Sequence, residues 1–420
     1  MITHDNPAFL SSPVSACRAG RPWMNLPSSM LFILFFYVSM VLIVALIAPF
    51  PSGVDELQHL SVVRAQFEHP TLFPDWSHQL ILQRDDITKW SHDANYINHP
   101  SLYYLMLAPI YAFTSNPIIF RFVNILLSTA ALLIVLIAAS RRFTREILPP
   151  QLFAILAISF PKAAIVGGMV NNDNLAALAA AALFGGLLGL PGAGWWILAG
   201  LAIAGWTKLT AFIGLAVVAA SWLGFAFLSG QIRLTDRRLW LAGVGMVIGA
   251  SHYMFTFLRI GQLLWVNEDV WRIPVAERLH LDMIGFAAWF FKGYVLKWPV
   301  LEMGYPFQLA LMTMVVPLLL AAVSLRYRDA RPWAAAYIVG WILLLAIHFA
   351  FGWRSYVTLG DLTTMQTRYY NILWPGIALA AAMAVAQISR RWRWAVLVTE
   401  IICLLPTVLG GALYVAIFGG

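Results

Sequence analysis

Asp55 and His59 stand four residues apart, directly after the first long apolar block of this 420-residue chain. Pro51 and Gly53 end that block, and the spacing predicts a helix from about Asp55 with Leu60, Val63 and Phe67 along one face. Residues four apart share a helix face, so a carboxylate and an imidazole would project together at the membrane surface, with Glu56 adjoining. An acid in a first helical turn is also ordinary capping chemistry, because the helix dipole favours it. The segment that follows, Pro51 to His99, holds five of the nine histidines and seven carboxylates, and it shifts the reading toward a reactive site.

Four further groups could work with that pair. His99 lies in Asn98-His99-Pro100-Ser101-Leu102-Tyr103-Tyr104, where Pro100 suits a first helical turn and the tyrosines read as an interfacial aromatic belt. Asn171-Asn172-Asp173-Asn174 makes a polar turn between two apolar blocks; turn chemistry accounts for it, and a second acid at membrane depth is the functional alternative. Thr207-Lys208 interrupts apolar sequence. A cation there costs a few kcal/mol, on the order of +2.5 to +3.5 on insertion scales, unless it snorkels or meets an anion; a phosphate or Asp173 would serve, and Lys162 raises the same question. Gln366-Thr367-Arg368-Tyr369-Tyr370 offers a guanidinium suited to planar, bidentate phosphate contacts, or an ordinary interfacial anchor. Glu400, inside the last apolar block, is assigned no catalytic part.

The elements that must position these residues are membrane spans. Hydrophobic residues make up 61% of the chain and charged residues 11%, against about a quarter charged in soluble proteins, and the apolar residues come in blocks near bilayer length. The blocks are roughly 28–50, 117–139, 151–170, 173–190, 194–207, 209–229, 239–258, 305–325, 332–351, 371–388 and 394–416. They predict an all-α polytopic membrane protein with about 11 transmembrane helices, plus interfacial helices in the first external loop. Residues 100–114 are apolar but short and contain Pro109, so they are placed as interfacial or re-entrant. Arg18, Arg21 and the Arg clusters at 141–145, 233–238, 326–331 and 390–393 then fall on one side, which the positive-inside rule makes cytoplasmic. Most carboxylates fall on the other. The net charge of +8 thus sets topology and implies no nucleic-acid partner. The expected organisation is a cytoplasmic tail over 1–27, a single transmembrane domain over 28–420 with a large first external loop at 51–116, and no soluble C-terminal domain. Cys17 and Cys403 form no motif.

In order along the chain, Asp55-Glu56 with His59 resembles a D-E-x-x-H motif, and His99-Pro-Ser-Leu-Tyr-Tyr resembles H-P-P-L-Y-Y with Ser101 in place of a proline. Val170-Asn-Asn-Asp173 resembles V-N-N-D, Gly205-Trp-Thr-Lys208-Leu-Thr resembles G-x-x-T-K-x-T, and Gln366-x-Arg368-Tyr369 resembles a late Q-R-Y. Together they resemble the GT-C superfamily of integral-membrane glycosyltransferases, in its bacterial polyprenyl-phosphate-sugar branch. That resemblance implies a polyprenyl-phosphate-linked sugar donor, an inverting single displacement, an acceptor that is an envelope glycan, lipid or protein, and a bacterial inner-membrane location with the active site on the external face. Within it Asp55 is expected as the base. Glu56 and His59 would bind the acceptor, orient Asp55, or both. Lys208 and Arg368 would receive the leaving phosphate, and His99, Asn172, Asp173, Gln366 and Tyr369 would line the substrate site. No cofactor is required; the available ligand types are compatible with a divalent cation, but their spacing demands none. A transporter or lipid flippase, and an O-antigen polymerase or ligase, are the competing readings.

Overall fold

A computed structural model describes residues 26–52, 55–141, 148–160, 163–265, 267, 270, 272–296, 307–362, 367–389 and 391–402. The protein is an all-α polytopic membrane protein. Among the described residues six helices are long and apolar enough to cross a bilayer. In our numbering they include α1 (Ser28–Ile47), α4 (Pro117–Ser140), α9 (Leu209–Leu228), α10 (Arg237–Ile260) and α13 (Arg331–Leu359). The sixth joins a 3-10 segment, Thr367–Leu373, to α14 (Trp374–Ala386).

The other expected spans are shorter or interrupted. The block at 151–170 divides into α5 (Leu148–Ile158) and α6 (Ala163–Gly167), around Pro161, whose ring disfavours helix in the residue before it. Helices α7 (Asp173–Leu187) and α8 (Ala193–Gly205) have 15 and 13 residues, about 20 Å each at 1.5 Å per residue and well short of a ~30 Å hydrocarbon core. Where about eleven spans are expected, the described residues show six long helices and a set of shorter apolar ones. Helix α11 (Met283–Leu296) follows α10, and α12 (Phe307–Ser324) precedes α13. The last expected span is helical over 391–402, and its remainder, like Gln366 and Lys162, lies outside the described residues. Helix α13 runs eight residues past the expected end at 351, because nothing breaks it before Gly360, which caps it at φ 81°.

The segment between α1 and α4 is folded. Helix α2 (Glu56–Glu68) and the ten-residue α3 (Leu102–Tyr111) stand in the segment where interfacial helices are expected. Between them lies a feature the sequence did not announce: an antiparallel pair, β1 (Leu80–Leu82) and β2 (Trp90–Ala94), with an irregularity between Leu80 and Leu82. Leu60, Val63, Trp76, Leu82, Ile97, Tyr103 and Tyr104 form its apolar core, which reaches Phe120 on α4, Val170 before α7 and Leu175 within it. This core fixes the loop to the bundle.

Small residues draw α8 against both its neighbours. A methyl on Gly200 would meet Ala179 and Leu183 of α7, and one on Gly205 would lie 2.2 Å from the Gly249 backbone of α10.

Candidate active site

The chain turns sharply into α2. Asp55, the residue preceding it, has φ 66°, a left-handed conformation that Asp adopts more readily than most residues but that still costs roughly 1–3 kcal/mol. Its carboxylate makes no capping hydrogen bond to its own helix. It accepts instead from the Tyr96 hydroxyl at Oδ1 and from the Arg368 guanidinium at Oδ2. Arg368 Nε lies 3.4 Å from Asp173 Oδ2, and Asp173 Oδ1 accepts from Lys208 Nζ at 2.5 Å. The chain Asp55–Arg368–Asp173–Lys208 thus alternates in sign across residues from four separate parts of the sequence. The side chains of Arg368, Asp173 and Lys208 are 4–8% exposed, while that of Asp55 is 25% exposed and forms the open end.

Each position follows from its element. Asp173 is the first residue of α7, where the dipole favours an anion. Lys208 sits in extended backbone between α8 and α9, and its ammonium lies 4.1 Å from the centroid of the Tyr369 ring, a cation–π contact that partly offsets its burial. Asn172 donates its amide to the Thr207 carbonyl at 3.2 Å, and its own oxygen is buried with no hydrogen-bond partner among the described residues. Asn171 and Asn174 face inward: Asn174 donates to Asn124 Oδ1, which also accepts from the Tyr103 hydroxyl, both at 2.9 Å.

The histidines line the α2–α3 side. His59 Nδ1 is 2.9 Å from the Tyr104 hydroxyl, and the His59 and His99 rings stack at 6.1 Å. Tyr103 and Tyr104 are fully buried, so the aromatic belt expected for them is replaced by hydrogen-bonded places behind the site. Burial drives His59 down to about 3, against the pull of Asp55, and drives His99 well below the ordinary histidine range with help from Lys208. Burial alone would raise the Asp55 carboxyl, but the Arg368 charge, His59 and the hydrogen bonds from Tyr96 and Arg368 together hold it below the usual carboxylate range. Both imidazoles are neutral and Asp55 is ionised at neutral pH.

Glu56 was expected beside Asp55 as a second acid. Its carboxylate faces elsewhere, into a fully buried pair with Arg121 at 2.7 Å for both contacts. It also accepts from the backbone amides of Ser52 and Val170 at 3.1 Å. Arg121 spends its remaining N–H groups on the carbonyls of Ala45, Ala48 and Pro49, which close α1. This knot joins the end of α1, the start of α2, α4 and the turn before α7, which are the elements that present Asp55 and Asp173. Sequence reasoning passed over Arg121, although a cation a few residues inside an apolar span is itself a signal; nothing in the sequence pointed to Tyr96. Removing one partner of a buried ion pair typically costs about 3–5 kcal/mol. Arg121→Met is therefore expected to lower the melting temperature of the purified protein sharply, and Glu56→Gln, which keeps shape and some hydrogen bonds, to lower it less. Two unchanged melting curves would mean that the knot holds nothing together.

Among the described residues no group of three or more His, Cys, Asp or Glu is arranged to hold a metal ion.

No protein-family model matches the sequence, and no curated protein matches it. The architecture does have counterparts. The crystal structure of ArnT from Cupriavidus metallidurans bound to undecaprenyl phosphate superposes with a TM-score of 0.53 over 89% of this chain and 62% of that one, at 15% sequence identity. This chain folds like ArnT. The apo state of the same ArnT gives 0.52 at 16% identity, with the same coverage. The chain spans less than two thirds of the length of the ArnT chains.

Proposed function

We propose that the protein transfers a sugar from a polyprenyl-phosphate-linked donor to an acceptor hydroxyl at the external face of a bacterial inner membrane, with inversion at the anomeric carbon. One observation carries this reading: a carboxylate at the open end of a buried chain of alternating charges, within contact of a guanidinium that shares a second acid with a lysine. Asp55 takes the acceptor proton as the acceptor oxygen bonds to the anomeric carbon. The bond from that carbon to the phosphate oxygen breaks, and polyprenyl phosphate leaves with the electron pair. Arg368 and Lys208 stabilise the charge that grows on it, in a site dry enough to strengthen the contact. Asp173 holds the two cations together until phosphate arrives. Glu56 acts through position, fastening the turn that aims Asp55. His59 and His99, neutral and stacked, offer hydrogen bonds to sugar or acceptor, and Tyr369 backs Lys208. The undecaprenyl phosphate bound by ArnT supports the choice of donor lipid. A transporter would favour charges in paired, broken repeats, whereas these gather at helix ends beneath a folded external segment.

Mass spectrometry of envelope glycans and lipids from a deletion strain tests the reading: one sugar should vanish and return with the wild-type gene. An intact glycome beside altered uptake of a small molecule would favour the transporter.

The pH dependence follows from the charges. In the free enzyme Arg368 depresses Asp55, so the acid limb of kcat/KM should lie below the ordinary carboxylate range near pH 4. Donor phosphate draws Arg368 away and adds negative charge, both of which raise Asp55, so the acid limb of kcat should lie at higher pH. Coincident limbs in steady-state pH profiles would contradict an exchange of Arg368 between carboxylate and phosphate.

A further inference from the structure

His348 interrupts the apolar run of α13 from Pro332 to Trp353, and it is buried. A polar ring in such a place is costly unless it is hydrogen-bonded. The imidazole Nδ1 lies 3.0 Å from the hydroxyl of Tyr370, which is itself fully buried. The ring also contacts Tyr369, with centroids 5.4 Å apart, and Phe290 of α11 meets it edge-on at 5.4 Å and 78°.

Tyr369 and Tyr370 are the two residues that follow Arg368, and all three belong to the 3-10 segment Thr367–Leu373. Such a segment has poor hydrogen-bond geometry of its own, so its orientation depends on what its side chains hold. Much hangs on that orientation. Arg368 must face Asp55 and Asp173 at once, and the Tyr369 ring carries the Lys208 ammonium at 4.1 Å. Trp341, about two turns before His348 on the same face of α13, packs on Tyr370 at 5.0 Å. Ring packing is non-directional and would tolerate rotation of the segment. The hydrogen bond from His348 to Tyr370 is directional, and it fixes the side from which Arg368 projects.

We propose that His348 is a positioning residue, which through Tyr370 sets the rotation of the Thr367–Leu373 segment and so holds the Arg368 guanidinium on Asp55. That this readies Arg368 for a leaving phosphate rests on the transfer reading; the hold on Asp55 does not. Asp55 itself reports the contact. Its burial raises its carboxyl, and Arg368 is the largest of the influences that lower it, ahead of His59 and Tyr96. Infrared titration of the full chain in lipid nanodiscs, with the Asp55 band assigned by its loss in Asp55→Asn, follows that carboxyl and needs no sugar donor. The wild-type midpoint should lie below the ordinary range near pH 4. It should rise toward that range in His348→Leu and in Tyr370→Phe, rise no further in the double variant, and recover in His348→Asn, whose amide can reach the place of Nδ1. Melting curves matching wild type establish that the variants are folded; if His348→Leu is not, Tyr370→Phe decides, since it cuts the same bond from the other end. An unmoved midpoint in a folded variant, shifts that add in the double variant, or no recovery in folded His348→Asn would overturn the proposal. The expected titrations in a protein that transfers no sugar would count against the transfer reading and leave the part of His348 standing.

Discussion

Asp55→Asn should cut the rate of sugar transfer by about two to four orders of magnitude, the usual contribution of a positioned general base. The substitution isolates proton acceptance. Asparagine tolerates the left-handed backbone that this position requires (φ 66°), and its oxygen can still accept from Tyr96. An amide, however, cannot take a proton in the transition state. It also releases Arg368 from its ion pair, so the affinity for undecaprenyl phosphate should rise while turnover collapses. Single-turnover assays beside direct lipid-binding measurements separate the two effects. Wild-type turnover in a folded Asp55→Asn protein would remove the base from the mechanism. Asp55→Ala is less informative, because alanine adds backbone strain to the loss of the carboxylate.

Arg368→Ala is expected to lower turnover by roughly a hundred- to a thousand-fold, the range seen when one donor to a developing negative charge is removed. Its effect should differ in kind from that at Asp55. Without the guanidinium, Asp55 and Asp173 face each other with only Lys208 to balance them, so lipid phosphate should bind less tightly. The Asp55 carboxyl should also rise, because its largest lowering influence has gone, and the acid limb of kcat/KM should move upward with it. Arg368→Lys keeps the charge but loses the planar fork that bridges two acids, so it should recover affinity more than rate. Weaker donor binding with kcat unchanged in both variants would assign Arg368 to ground-state binding alone.

The candidate site was legible because the membrane makes charge conspicuous. Lys208 interrupts apolar sequence, Asp173 and Arg368 stand in short polar stretches between apolar blocks, and each lies at a helix end in the structure. What the sequence could not convey was direction. Asp55 and Glu56 are adjacent and read as a pair, yet the left-handed turn sends one carboxylate to Arg368 and the other to Arg121. Tyr96 and Arg121 reach their partners across 41 and 65 positions, contacts for which periodicity gives no cue. The β1–β2 pair escaped notice because strands of three and five residues are too short for an alternating pattern to stand out from a histidine-rich loop. Bilayer-length reasoning found the long helices and also the positions of the short ones. Helices α7 and α8 stop below full thickness because the polar turns at their ends are satisfied inside the protein rather than by headgroups.

The glycine crossing of α8 and α10 ties the chemistry to the bilayer. With Gly205 lying on the Gly249 backbone, neither helix can shift alone without a clash or a void, so the two lean as one beam. Lys208 rides three residues beyond that crossing. Thicker or thinner lipids re-tilt long apolar helices such as α10, and the same lean carries the ammonium nearer to, or farther from, the depth at which a polyprenyl phosphate floats. In the transfer proposed above, membrane thickness would thereby set the depth of the Lys208 ammonium.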